Sequence, residues 1–107
     1  MKRRSIERHA LARDDIRAAV DFYLGEAGPT VALAFVEAVD NALSYLAEFP
    51  AAGSPRLGHE LGLPGVRAWS LRDYPYLVFY LDHGDRVVVW RVLHAQRDLP
   101  STLANLD

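Results

Sequence analysis

The chain has 107 residues, 50% of them hydrophobic and 24% charged, which suits one globular domain over residues 1–107 and no second core. It contains no cysteine, so disulfides and thiol chemistry are excluded, and its formal net charge of -2 argues against binding nucleic acid over the whole surface. The opening MKRRSIERHALARDD lacks the apolar stretch of a signal peptide, and no apolar run approaches the ~20 residues that span a bilayer, so a cytoplasmic protein with no membrane partner is expected.

Residues Arg3 to His9 are short and polar, with Ile6 the one large apolar side chain. They read as an edge strand, since short charged strands discourage edge-to-edge pairing. From about Leu11 the period becomes helical. Ala12, Ile16, Ala19, Val20, Tyr23 and Leu24 form one apolar stripe, and Phe22 lies off it. Gly25-Glu26-Ala27-Gly28 ends this helix, and Pro29 opens a second at the first-turn position, where no amide donor is missed. Ala32, Phe35, Val36, Val39, Leu43 and Leu46 form its stripe, and it stops before Phe49-Pro50. So short a link makes the two helices an antiparallel hairpin.

Pro50 to Gly65 is broken up by Pro and Gly and reads as a loop, with one helical turn around His59 to Leu63. Three strands follow, Val66–Leu71, Tyr76–Leu81 and Arg86–His94. Asp82-His83-Gly84-Asp85 joins the last two as a hairpin. Both faces of that hairpin are apolar, which places it in the middle of a sheet covered on at least one side. The tail from Leu99 opens on Pro100-Ser101 and suits a short C-terminal helix. The expected architecture is α+β, in the order β-α-α-β-β-β, with the N-terminal strand and the helical hairpin packed on an antiparallel sheet.

Catalytic patterns are sparse. His9, His59, His83 and His94 are scattered without metal-ligand spacing, so no metal is expected. Asp14 and Asp15 point about 100° apart on a helix and read as a solvated helix start rather than a shared acid–base pair. No nucleophile motif or phosphate loop occurs. Arg91 lies inside an apolar run; by alternation it shares a face with Val87, Val89 and Leu93. A buried charge needs a partner, for which Asp21 and Glu37 are the candidates, or else an open cleft for binding.

Tyr74-Pro75-Tyr76-Leu77-Val78-Phe79-Tyr80, followed by Val89-Trp90-Arg91-Val92-Leu93-His94-Ala95-Gln96-Arg97-Asp98, resembles the ParE toxins of plasmid-stabilisation toxin–antitoxin systems, within the ParE/RelE superfamily. Ala12-x-x-Asp15-Ile16, Tyr23, Ala34-x-x-x-x-Ala38 and Leu46-x-x-Phe49-Pro50-x-x-Gly53 also look like that family. The resemblance implies a toxin that inhibits DNA gyrase by binding and uses no cofactor. It implies neutralisation by a ParD-like antitoxin whose C-terminal segment folds on the toxin across the helix pair and sheet. The complex would be a hetero-oligomer, a heterotetramer or larger, and the toxin alone would not bind nucleic acid.

On this reading Arg72, Tyr74, Tyr76, Arg91, His94, Arg97 and the tail beyond Leu99 are target contacts. Phe22, Val31, Tyr45 and Trp69 face the antitoxin, as apolar residues open to an amphipathic partner helix.

The alternative is a RelE-like ribosome-dependent endoribonuclease built on Arg67, Arg72 and Arg97. Leu77 stands where RelE-like proteins carry a catalytic arginine, and no Tyr, His, Lys or Arg follows Asp98. A third reading is a degenerate relative that only binds its antitoxin.

Overall fold

A computed structural model of the chain describes residues 3–98. The expected short C-terminal helix, the tail contacts beyond Leu99 and Lys2 lie outside those residues. The elements in order are β1 Ser5–Arg8, α1 Ala10–Ala27, α2 Pro29–Glu48, α3 Arg56–Glu60, β2 Val66–Ser70, β3 Tyr76–Asp82 and β4 Arg86–His94. The α+β class and the element order are those read from the sequence, with α3 as the helical turn in the loop.

The sheet order is β1-β4-β3-β2, so the β3–β4 hairpin occupies the centre. β2–β3 and β3–β4 are antiparallel, but β1 lies parallel to β4, Ser5 opposite Arg86 through Arg8 opposite Val89. The sheet is therefore mixed rather than wholly antiparallel. A parallel pair needs a long crossover, and everything between β1 and β4 supplies it.

The helical hairpin forms as its punctuation suggests. His9 caps α1, its Nδ1 accepting from the Leu11 N–H at 3.1 Å. Gly28, at φ +90°, closes α1 by donating to the Tyr23 carbonyl and leads directly into Pro29. Helix α2 is long and apolar enough, by length and composition alone, to cross a membrane. Its apolar stripe is instead buried against this domain: Phe35, Val39, Leu43 and Leu46 pack with Val78, Tyr80, Val87, Val89 and Val92 on one sheet face. Each such side chain contributes about 1.5–3 kcal/mol.

The opposite face is covered too. Val66, Phe79 and Leu93 pack there beneath Leu57 and Leu63 from the Pro/Gly-rich stretch. Helix α3 in that stretch starts three residues before the expected turn at His59. Ser54 Oγ accepts from the Arg56 N–H at 3.2 Å and fixes the earlier start, and Gly62, at φ +70°, ends the segment.

Two details differ from the sequence pattern. Leu24 is 49% exposed rather than part of the α1 stripe, because Tyr23 fills the space over the sheet and turns the next residue away. In β4, strict alternation fails. Phe79 is opposite Arg91 but Tyr80 is opposite Val89, so Trp90 is an extra residue in a bulge. Val92, not Arg91, thus joins Val87 and Val89 under the helices, while Leu93 goes to the other face with Trp90.

Candidate functional site

The bulge sits where β1 stops. Beyond Val89, β4 has no strand on its outer side, and α1 runs along that open edge. Asp15 on α1 closes it. Its Oδ2 accepts from the Val92 N–H at 3.0 Å and from Arg91 Nε at 2.8 Å, and its Oδ1 accepts from Arg91 Nη2 at 3.0 Å. Arg91 is therefore paired, the first of the two alternatives that the sequence left open, but with Asp15 rather than Asp21 or Glu37. The bidentate bond to Asp15 raises the guanidinium above its usual value, against burial, which acts the other way.

Two residues on, the same edge is closed a second time. The His94 N–H donates to Asp98 Oδ2 at 2.9 Å, and Asp98 Oδ1 accepts from Arg97 Nε at 3.1 Å. Burial alone would raise the Asp98 carboxyl; the bonds from His94 and Arg97 outweigh it and hold the group below the ordinary aspartate value. His94 Nδ1 accepts from the Gln96 and Arg97 amides at 3.2 and 3.1 Å, which folds residues 94–98 into a tight turn. That turn aims Arg97 back over the sheet. Its Nη2 donates to Tyr76 Oη at 3.2 Å, and its guanidinium lies 5.5 Å from the Phe22 ring centre. The bonds to Asp98 and Tyr76 raise the Arg97 guanidinium above its usual value.

Beneath lies an aromatic cluster. Tyr23 meets Phe35, Tyr74 and Tyr76 at centroid distances of 5.3, 5.3 and 6.3 Å, and Tyr76 packs edge-on against His94 at 5.2 Å. Burial, with the Tyr76 and Tyr74 phenols close by, pushes the Tyr23 hydroxyl up. The side chains enclose a pocket of about 300 Å³ lined by Asp15, Ala18, Ala19, Tyr76, Arg91, Val92, Leu93, Arg97 and Asp98.

Of the expected target contacts, Tyr76, Arg91, His94 and Arg97 thus meet around one place. Tyr74 borders it through Tyr23, its hydroxyl donating to the Val31 carbonyl at 3.3 Å. Arg72 does not join them. It lines a separate groove of about 510 Å³ between α2 and the β2 edge, with Glu37, Tyr45, Trp69 and Tyr74. Arg67 is elsewhere again, its Nη1 donating to the Gly53 and Ala51 carbonyls at 2.7 and 3.2 Å.

The four residues expected to face an antitoxin also divide. Tyr45 stacks on Trp69 at 5.2 Å and meets Phe49 at 5.0 Å, a continuous aromatic patch beside the α2–β2 groove. Tyr45 and Phe49 are each 43% exposed. Phe22, 45% exposed, lies across α1 under Arg97. Val31 is half-buried at the start of α2.

The residue that the sequence undervalued is Asp15. Read beside Asp14 it looked like a solvated helix start, yet its side chain is only 14% exposed and that of Asp14 is 67% exposed. The available signal was its place within Ala12-x-x-Asp15-Ile16, one turn from the buried stripe. Among the described residues no group of His, Asp and Glu could hold a metal ion.

A family model described as the ParE toxin of the type II toxin–antitoxin system parDE matches residues 6–99. Among solved structures, the chain is similar to the chromosomal ParDE toxin–antitoxin system from P. aeruginosa, with 24% identity and a TM-score of 0.74 over 87% of this chain and 97% of that one. No curated protein sequence matches it.

Proposed function

Because this chain belongs to the ParE toxin family of type II toxin–antitoxin systems, we propose that it inhibits DNA gyrase by binding in the cytoplasm. In this reading it is neutralised by a ParD-like antitoxin within a heterotetramer or larger complex. The face formed by Arg91, His94 and Arg97 over the buried Tyr76, bordered by Tyr74, contacts the target. The aromatic patch of Tyr45, Trp69 and Phe49 takes the antitoxin, with Val31 at its margin, while Phe22, beneath Arg97, goes with the target face. Arg72, in the α2–β2 groove, belongs with the antitoxin side rather than the target face.

The separation of Arg67, Arg72 and Arg97 carries the choice of a binding toxin over a nuclease. Cleavage of RNA by attack of a 2′-hydroxyl needs cations on the developing phosphorane and an acid and base within hydrogen-bond reach of one phosphate. Here Arg67 is spent on the carbonyls of the loop after α2, Arg72 lines the α2–β2 groove, and Arg97 lines a different pocket, bonded to Tyr76 and Asp98. The net charge of -2 also gives no general pull toward the dense phosphate surface of a ribosome.

Purified toxin added to gyrase decides the matter. Supercoiling is expected to fall, with cleaved DNA trapped, and Arg97→Ala is expected to weaken the effect. Full supercoiling at excess toxin, together with new cuts in translated mRNA by primer extension, would replace this reading with the nuclease.

A further inference from the structure

The pocket at the open edge of β4 has more hydrogen-bond donors than acceptors. Arg91 spends Nε and Nη2 on Asp15, and Arg97 spends Nε on Asp98 and Nη2 on Tyr76. Among the described residues, neither Nη1 has a partner. Tyr76, only 2% exposed, accepts from Arg97, but its own O–H finds no acceptor there. Tyr74 and Tyr80 differ, each donating to a backbone carbonyl. All four carboxylate oxygens of Asp15 and Asp98 are engaged, two of their bonds coming from the Val92 and His94 amides. The two aspartates balance the two guanidiniums in formal charge, so what the pocket has in surplus is hydrogen-bond donors. A buried hydroxyl with an idle proton, bonded to Arg97 and lining one pocket with Arg91, calls for an acceptor from outside.

We propose that this pocket receives the carboxylate of an aspartate or glutamate side chain presented by a protein partner. A carboxylate has two oxygens that can each accept more than one hydrogen bond, and charge-assisted bonds from arginine outweigh those to a neutral carbonyl. At about 300 Å³ the pocket suits one side chain. Ala19, buried beneath the pocket, and Ala18, exposed at its edge, leave the room that larger residues would fill. The Phe22 ring beneath Arg97 holds one guanidinium against the rim. Asp15 and Asp98 are positioning residues here; they aim the arginines without touching the ligand. The inference stands on the geometry of the pocket and does not require that the partner be gyrase.

The test places the ligand on the chain itself. Ala18 is exposed, so Ala18→Glu and its neutral counterpart Ala18→Gln should both fold, and both residues are good helix formers. The new carboxyl would sit near Asp14, Asp15 and Asp21 on its own helix and near Asp98, all of which raise its titration midpoint. Arg91 and Arg97 lower it, and His94 lowers it when protonated. By NMR titration of the purified chain, the new carboxyl is expected to titrate at least about half a unit below the ordinary glutamate value of ~4.3. The depression should disappear when Arg97→Gln is added. A midpoint at or above the ordinary value would overturn the proposal.

The second measurement reads binding of gyrase and of the antitoxin separately. Ala18→Glu is expected to weaken one of them roughly tenfold more than Ala18→Gln does, about the worth of one charge-assisted hydrogen bond. The partner affected is the source of the acid. Equal losses from the two variants, or none with either partner, would overturn the proposal and leave the gyrase reading to its own assay.

Discussion

Asp15 holds Arg91 by both edge nitrogens, at 2.8 and 3.0 Å, across 76 positions of chain, and the same carboxylate caps the Val92 amide. One side chain thus joins the first helix to the last strand, seals the strand edge that β1 leaves open, and orients the arginine at the candidate site.

Substituting Asp15→Ala should therefore cost about 2–3 kcal/mol, since it strands a half-buried guanidinium and an edge amide together. Urea unfolding should show a lower midpoint. A double-mutant cycle with Arg91→Gln should return a coupling of about 1–2 kcal/mol. Additive losses would mean that the pair contributes nothing as a pair.

The loop after α2 depends on one phenol. Tyr80 Oη accepts from the Gly53 N–H at 2.8 Å and donates to the Pro50 carbonyl at 2.7 Å. Burial accordingly pushes the Tyr80 hydroxyl up from its usual value. Tyr80→Phe leaves two buried backbone groups unpaired and should cost about 1–3 kcal/mol. Gly53→Ala should be at least as harmful, because a Cβ there would lie 2.5 Å from Tyr80 Oη. Thermal melts of the two variants check both claims.

The turn at the end of β4 should be sensitive to acid. The Asp98 carboxyl titrates below the ordinary aspartate value of 3.8 once folded. A depressed carboxylate contributes stability that is complete above the unfolded value and is lost as pH falls through the lower, folded value. The stability gap between the native chain and Asp98→Asn should thus be widest near neutrality and close in strong acid. A gap independent of pH would show that Asp98 acts through packing alone. Asp82 is lowered as well, chiefly by the Gly84 amide and also by Arg4, so Asp98→Asn should still lose stability in acid.

The division of the aromatic residues predicts a division of effects. Trp69→Ala and Tyr45→Ala remove stacked neighbours from one patch, and each should weaken antitoxin binding about tenfold or more with little change in gyrase inhibition. Phe22→Ala removes the ring beneath Arg97 and should act on gyrase inhibition instead. Calorimetry with the antitoxin, beside a supercoiling assay, separates the two. A Phe22→Ala variant impaired only toward antitoxin would reverse the assignment.

Much of the fold was legible because its signals are local. Gly28-Pro29 marks the helix junction by backbone chemistry alone, and the β-branched run through Val87-Val88-Val89 could hardly be anything but a buried strand. The pairing of β1 was not legible. Its four residues carry one large apolar side chain, Ile6, and nothing in them names Val87 as the residue opposite. The site was half legible. Tyr76, Arg91, His94 and Arg97 stood out as polar or aromatic residues within and beside apolar strands, but Asp15 resembled its exposed neighbour Asp14 because burial depends on what a helix lies against.

By itself the sequence determined the class of fold, the central hairpin, the helix pair and the need of Arg91 for either a carboxylate or an open cleft. Each of these follows from hydrophobic period, turn chemistry or the cost of burying a charge, all properties of short stretches of chain. Only the tertiary structure decided which carboxylate answered, where alternation broke in β4, and which arginines share a pocket. A single extra residue at Trp90 moves Arg91 off the core face and puts Val92 there. Such a bulge is settled by the competition of whole strand faces for burial, which no local pattern records.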